Sequence, residues 1–370
     1  MAYRFSSDVY RNRLDRARKL TADAGLDALV VSTGPDLRYL TGSRADTFER
    51  LTALVVPADA APRLVVARLE LASVRDSAVA DLGVDVADWV DGEDPYALAL
   101  DGLPAQARLA VCDTMPALHV VPIAAHGGGT PVLATEVLRE LRMIKDASEI
   151  AVLRQAGAAI DRVHARMGEW LRPGRTERAV ADDIRAAILA EGHTEAAFII
   201  VGSGPHGADP HHEFSDRVIE CDDIVVIDIG GPVDPGYNSD STRTYCFGRP
   251  PADVAEAYDV LQTAQRSALE VIRPGITAEQ VDAAARDLLR EHGLADRFIH
   301  RTGHGIGLSV HEEPYIVSGN DITLRPGMAF SVEPGVYFDG RWGARIEDIV
   351  VVTDEGCETL NNRPHELTVL

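Results

Sequence analysis

At 370 residues the chain is too long for one ordinary hydrophobic core, so two domains are expected. A hydrophobic share of 46% and a charged share of 25% fit a globular protein, and no uncharged apolar run approaches a membrane span. The net charge of −22 is the wrong sign for a phosphate-binding surface, which excludes nucleic acid as an expected partner and leaves carboxylates for cations.

The first residues, MAYRFSSDVYRNRLDRARKL, lack the apolar stretch of a signal peptide. Cys112, Cys221, Cys246 and Cys357 show no CxxC spacing and read as free thiols of a reducing compartment. A cytoplasmic protein is expected. Residues 8–25 carry an amphipathic helical pattern closed by Gly25. DALVVST then reads as a strand and YLTG as a loop. LTALVVP and PRLVVAR are short β-rich runs split by a turn containing proline. Similar alternation continues past a loop HGGGTP at 126–131 to TPVLATEVLRELRMI. The expected division is an α/β domain over 1–137 and a second domain over 138–370.

The second domain opens on a long helical pattern, DASEIAVLRQAGAAIDRVHARMGEWL, with Asp146 or Ser148 to cap it. Its apolar positions are Ile150, Leu153, Ile160, Val163, Met167 and Trp170. Two later segments, RPGRTERAVADDIRAAILAEG (172–192) and RPGITAEQVDAAARDLLREHG (273–293), align without a gap and share seven of 21 residues. Each reads as a turn, an N-cap threonine and a helix, and each follows another helix. The second domain is therefore expected to be an internal duplication, with two sheets side by side and a cleft between them.

A carboxylate pattern follows the same two-fold plan. DIVVIDIGG carries Asp228 and YNSDSTRTY carries Asp240, 12 residues on. MAFSVEPG carries Glu333 and WGARIEDIVVV carries Glu347, 14 residues on. Each half is expected to supply a hairpin with one acid per strand. Asp234 and Asp348 read as turn or strand-end groups in solvent. Buried ionised acids are costly, and only Arg243 and Arg345 are near in sequence, so four acids facing one cleft call for cations. Two divalent metals would balance four carboxylates, and an imidazole beside them suits manganese, cobalt, iron or zinc.

The imidazoles lie in HRTGHGIGLSVHEEP. His300 and His304 have the spacing of a zinc-binding helix, but Gly303, Gly305 and Gly307 favour an extended segment. His304 and His311, seven apart, would face opposite sides of a simple strand, a rule that the glycines relax. One histidine is expected on metal and one on substrate. VGSGPHG looks like a GxG loop, but Pro205 and Pro210 follow where a dinucleotide site needs a helix start.

Taken together, VVIDIGG…GYNSDSTRT, GHGIGLSVHEEP, SVEPGVYF and ARIED resemble the pita-bread metallopeptidases, most closely the bacterial prolidase and aminopeptidase P branch. The motifs span 140–370, RMIKDASEI fits the entry helix, and the N-terminal part fits the creatinase/prolidase-like α/β domain loosely. The Asp228–Asp240 interval is one residue longer than the commonest form, within GPVDPG. The resemblance implies that Asp228 binds one metal, that Asp240 and Glu347 bridge two, and that His304 and Glu333 bind the second. It implies that His211, in ADPHHEFSD, and His311 handle substrate and protons, and that Glu333 accepts a proton from a metal-bridging hydroxide's parent water. His300 would line the proline pocket, Arg345 would buttress Glu347, and His212 would be a partly exposed loop residue. The implied activity is hydrolysis of Xaa-Pro bonds in small peptides by a homodimeric dipeptidase with two divalent ions, manganese foremost. The alternatives are aminopeptidase P activity on longer peptides and an inactive binding module. A dipeptidase must hold the proline carboxylate, for which Arg44 or Arg50 in YLTGSRADTFERL is the candidate, reaching a partner subunit's site.

Overall fold

The structure is a computed structural model that describes residues 5–46 and 49–370; residues 47 and 48 of the YLTGSRADTFERL loop lie outside them. The chain divides after Arg142 into two compact units.

Among the described residues the N-terminal unit holds six strands: β1 (Ala28–Ser32), β2 (Ala53–Pro57), β3 (Arg63–Ala67), β4 (Asp85–Trp89), β5 (Leu109–Val111) and β6 (Val132–Leu133). They form one mixed sheet in the order β4-β3-β2-β1-β5-β6. β1 and β2 are buried along their whole length, as central strands covered on both faces must be. Six helices accompany them: α1 (Ser7–Asp23), α2 (Pro35–Thr41), α3 (Leu71–Val74), α4 (Pro95–Leu100), α5 (Ala117–Gly127) and α6 (Thr135–Arg142). YLTG, expected as a loop, instead ends α2. Pro35 starts that helix, Tyr39 and Leu40 bury into the unit, and Gly42 at φ 73° closes it. Two turns are too few for helical periodicity to register in the sequence. The boundary expected at 137/138 falls inside α6, whose Val137, Leu138 and Leu141 are buried.

The C-terminal unit begins with α7 (Ala147–Ala165), whose cap Asp146 accepts from the Ser148 and Glu149 amides. α8 (Glu177–Ala190) follows, then β7 (Phe198–Ser203), β8 (Ile224–Val233) and β9 (Tyr237–Cys246). The second copy runs α9 (Ala252–Val271), α10 (Ala278–Glu291), β10 (Gly303–Gly305), β11 (Glu312–Ile316), β12 (Ala329–Val332), β13 (Gly335–Phe338), β14 (Trp342–Arg345) and β15 (Asp348–Val352). β16 (Cys357–Thr359) and β17 (Thr368–Val369) complete the chain. The duplicated RPG turns place Gly174 at φ 87° and Gly275 at φ 92°, a left-handed conformation that glycine adopts without steric cost.

Each helix pair covers its own sheet. Ile160, Val163, Val180 and Ile184 pack on Ile199, Val225 and Ile227 in the first half. Leu261, Val281 and Leu289 pack with Phe330, Val332 and Val350 in the second. Along β8, Val225, Ile227 and Ile229 belong to this core, so the alternating residue Asp228 is turned to the opposite face. The halves meet where the Glu347 amide donates to the Thr242 carbonyl of β9. Asp348 is not the solvent group expected from sequence. It is fully buried, with Arg243 Nη2 at 2.7 Å, and Arg243 also donates to the carbonyls of Arg363 and Pro364. A buried carboxylate is tolerated there because it is paired. No helix among the described residues is long and apolar enough to cross a membrane.

Candidate metal centre and substrate cavity

In the β8–β9 ladder Asp228 lies opposite Thr242 and Gly230 opposite Asp240. Residues directly opposite share a face, and so do residues two apart. The register thus puts both aspartates diagonally on the face away from the helices. The longer interval between them is absorbed at the hairpin end, because all ten pairs from Ile224↔Cys246 to Val233↔Tyr237 are formed.

The second half departs from the expected symmetry. Its hairpin is broken: β12 pairs β15 as far as Val332↔Asp348, and β13 pairs β14 from Gly335↔Arg345. Glu333 and Glu347 sit in the break rather than within strands. The break frees both carboxylates from the alternation that a continuous ladder would impose.

His304 enters on β10. Gly303 and Gly305 flank it because a Cβ at either would overlap a carbonyl, of Ser331 and of Glu313 respectively. The register shifts between His304 and Gly305, and the His304 and His311 rings come to 4.1 Å between centroids. The shift is what lets two histidines seven apart share a side. His304 Nδ1 lies 3.1 Å from the Gly305 carbonyl, which fixes that nitrogen as the donor. Nε2 is left facing Glu333 Oε1 at 3.2 Å and Asp240 Oδ2 at 3.7 Å.

All five side chains are largely buried, and the electrostatics among them are unfavourable without cations. Burial first, then the neighbouring carboxylates, push the Asp240 and Glu347 carboxyls well above their ordinary range. Burial also raises Asp228, against the pull of Arg345. Burial would raise Glu333 too, but the contact with His304 holds it low. Asp228 Oδ1 and Glu347 Oε1 are buried with no hydrogen-bond partner. Buried carboxylate oxygens are almost always satisfied, so these two are lone pairs waiting for a ligand. Asp240, His304 and Glu347 bring ligand atoms within 4.8 Å of one another. The residues therefore fit divalent metal ions.

Arg345, expected to buttress Glu347, makes its direct ion pair with Asp228. Its Nη2 donates to Asp228 Oδ2 at 2.6 Å, its Nη1 to Tyr337 Oη at 2.6 Å and its Nε to Thr242 Oγ1 at 3.1 Å. Glu347 receives its hydrogen bond from the Thr242 hydroxyl, at 2.7 Å. By hydrogen bonds Arg345 is linked to Glu347 through that hydroxyl, and its charge also pulls the Glu347 carboxyl down directly.

The cluster opens into a cavity of about 760 Å³ lined entirely by the C-terminal unit, including Phe198, Ile200, His211, His300, Val310 and His311. His300 Nδ1 donates to the Arg301 carbonyl at 2.7 Å, so its Nε2 accepts from Tyr337 Oη at 2.9 Å. Burial, then the charge of Arg345, holds the His300 pKa at about 4, so the ring is neutral. His311 is exposed in area but overhung by the cavity walls, and that desolvation, with the charges of His304 and Arg301, lowers its pKa as well.

His211 is exposed in the same cavity, and the residues beside it are tied to Glu177, which is completely buried at the start of α8. That carboxylate accepts from the Ser203 amide and hydroxyl, His206, His212 and the Ser215 amide and hydroxyl, all at 2.7–3.1 Å. His212 is therefore a half-buried structural ligand to Glu177. Glu177, His206 and His212 are close enough to hold an ion, but six donors already occupy the carboxylate, which makes the group a hydrogen-bonded knot. Burial would raise Glu177, and the bonds from Ser203, His212 and Ser215 outweigh it to leave a pKa of about 2.

The remaining candidates lie elsewhere. Arg44 is exposed on the N-terminal unit. Arg50, on the same unit, forks Asp91 with two bonds of 3.0 Å. Glu312 of the HEEP stretch is engaged by Lys145 at 2.6 Å. Tyr337, Glu177 and Thr242 were missed in the sequence. Tyr337 and Thr242 sit inside the diagnostic stretches and could have been found there. Glu177 could not, since the residue in the matching position of the second repeat is Ala278.

Fold and site together define a pita-bread metallopeptidase with a creatinase-like N-terminal domain. The sequence pattern of Metallopeptidase family M24 matches residues 151–354, and that of the Creatinase/Prolidase N-terminal domain matches residues 13–144. The chain belongs to metallopeptidase family M24. It is 65% identical over 370 residues to the probable dipeptidase PepE of Mycobacterium tuberculosis, covering 99% of this chain and 98% of that one. It is 35% identical to the Xaa-Pro dipeptidase of Lactobacillus helveticus, covering 96% of this chain and 98% of the relative. The crystal structure of dipeptidase PepE from Mycobacterium ulcerans superposes with a TM-score of 0.96 at 64% identity, over 99% of both chains.

Proposed function

We propose that this metallopeptidase is an Xaa-Pro dipeptidase (prolidase) that works with two divalent ions, manganese foremost. The observation that carries the reading is the pair of orphaned oxygens, Asp228 Oδ1 and Glu347 Oε1, in a cavity whose wall includes the rings of Phe198, His300 and His311. Asp228, Asp240, His304, Glu333 and Glu347 would hold the ions. The chemistry that bound divalent ions supply at such a site is a polarised carbonyl and a water activated near neutral pH.

The chain's own groups do the rest. Glu333, held low by His304, is the acceptor for the proton of the attacking water. His311, beside His304, positions the leaving amine, and His211 faces the same space. Tyr337 satisfies the polar edge of His300, which leaves the His300 ring as an uncharged part of the cavity wall. Such a wall suits a proline ring, whose tertiary amide has no N–H to offer a conventional peptidase.

Hydrolysis of Ala-Pro, Ala-Leu and Ala-Pro-Ala, after chelation and after manganese is restored, tests the reading. Metal-dependent turnover of Ala-Pro above the other two is expected. Turnover of Ala-Pro-Ala alone would make the protein an aminopeptidase P, and turnover of Ala-Leu alone would remove the proline requirement. A homodimer, implied by the family resemblance, belongs to this reading and is checked by sedimentation. So does a cytoplasmic setting, with which four free thiols are in keeping.

A further inference from the structure

We propose that Arg301 anchors the C-terminal carboxylate of the dipeptide substrate, an inference that rests on the dipeptidase reading above. The cavity lining holds two guanidinium groups, Arg301 and Arg345. Arg345 is 3% exposed, and its donors are spent on Asp228, Tyr337 and Thr242. Arg301 is different. It is half-buried, its guanidinium lies 4.5 Å over the Tyr315 ring, and among the described residues it has no carboxylate partner and donates no hydrogen bond. Stacking on Tyr315 fixes the plane of the group and leaves its N–H fork unused, which suits bidentate capture of a carboxylate.

The position selects which carboxylate. Arg301 lines the cavity next to His300, the ring assigned to the proline side, which puts the cation in the wall that receives the leaving residue. Its charge is felt at His311, the group assigned to the leaving amine. The substrate's ammonium belongs at the other end, among the metal-site carboxylates. In a dipeptide the residue that leaves is also the residue that carries the free carboxylate. A cation at that end therefore rewards a substrate that stops there. Of the two candidates from sequence, Arg44 and Arg50, the latter is already paired with Asp91 on its own unit.

The test compares kcat/KM for Ala-Pro and for its C-terminal amide in the manganese-loaded protein, wild type, Arg301→Gln and Arg301→Lys. The ratio of acid to amide is expected to fall about 100-fold in Arg301→Gln, the size of a lost charged hydrogen-bond pair, with the change in KM. Arg301→Lys is expected to restore part of it. An unchanged ratio in Arg301→Gln overturns the anchor and leaves the dipeptidase reading intact. A change in the preference for Glu-Pro over Ala-Pro, with the acid-to-amide ratio constant, also overturns it by placing Arg301 at the first residue's side chain. Failure of the dipeptidase reading shows earlier and separately, as a wild type that turns over Ala-Pro-Ala but no dipeptide, and the anchor falls with it. If the wild type takes Ala-Leu instead of Ala-Pro, the same acid-to-amide ratio on Ala-Leu decides the anchor alone.

Discussion

Arg345 stands two residues before Glu347 in the chain, yet its guanidinium reaches Asp228 in the other half of the duplication, 2.6 Å from Nη2 to Oδ2. The pair ties the two sheets together at the metal centre. It also leaves Asp228 with one oxygen satisfied and the other, Oδ1, open. Arg345→Met should therefore disturb Asp228 more than Glu347. The expected result is a loss of about 10- to 100-fold in manganese affinity, the usual effect of removing a group that orients a metal ligand. Isothermal titration of the chelated protein reads it, and excess manganese should recover part of the activity.

Asp240 is the acid most exposed to its neighbours' charge, with Glu347, Asp228 and Glu333 all raising its carboxyl. Asp240→Ala should abolish hydrolysis without unfolding the protein. Relief of like-charge repulsion predicts more: the chelated Asp240→Asn variant should melt at a higher temperature than the chelated wild type. Manganese should then stabilise the wild type and not the variant. Differential scanning calorimetry with and without the metal measures both.

Glu177 predicts a pH dependence. Its pKa is about 2, below the 4.5 of a free glutamate. Stability from a depressed carboxyl is full above the unfolded-state value and fades as pH falls through the folded one. Glu177→Gln should destabilise the protein by on the order of 3 kcal/mol at pH 7, and the gap from wild type should narrow as pH drops from 5 towards 2. The variant should also lose about 10- to 100-fold in kcat, because Ser203, His206, His212 and Ser215 would no longer hold the segment that carries His211. Urea titrations across pH, alongside initial rates at pH 7, give both numbers.

Gly303 allows β10 to lie against the Ser331 carbonyl. Gly303→Ala should push that strand away and carry the adjacent His304 out of reach of Glu333. A destabilisation of about 1–3 kcal/mol is expected from the overlap. A fall in manganese affinity should accompany it, whereas Gly129→Ala, where a Cβ meets nothing within 4 Å, should leave the affinity unchanged.

What was legible in the sequence was what repeats and alternates. The RPG turns marked the duplication, and the apolar run DIVVIDIGG marked Asp228 as an acid within a strand. The ladder between β8 and β9 is regular, so spacing alone described it. Glu333 and Glu347 were harder. Their hairpin is interrupted at Pro334 and Ile346, and no period-two pattern reports a break. Asp348 looked like a strand-end acid because its partner, Arg243, is 105 residues away, at a distance that only tertiary structure closes. Glu177 was invisible for the same reason: three of the four residues that satisfy it, His206, His212 and Ser215, lie on the segment after β7. Arg301 stood inside the motif, but nothing in the sequence says which arginines lack a partner.

The most direct test of the account is titration of manganese into the chelated protein while Ala-Pro hydrolysis is followed. The account predicts no turnover without metal and activity that saturates at two equivalents per chain. Full turnover in the chelated protein, or two bound equivalents with no hydrolysis of Ala-Pro, would contradict it.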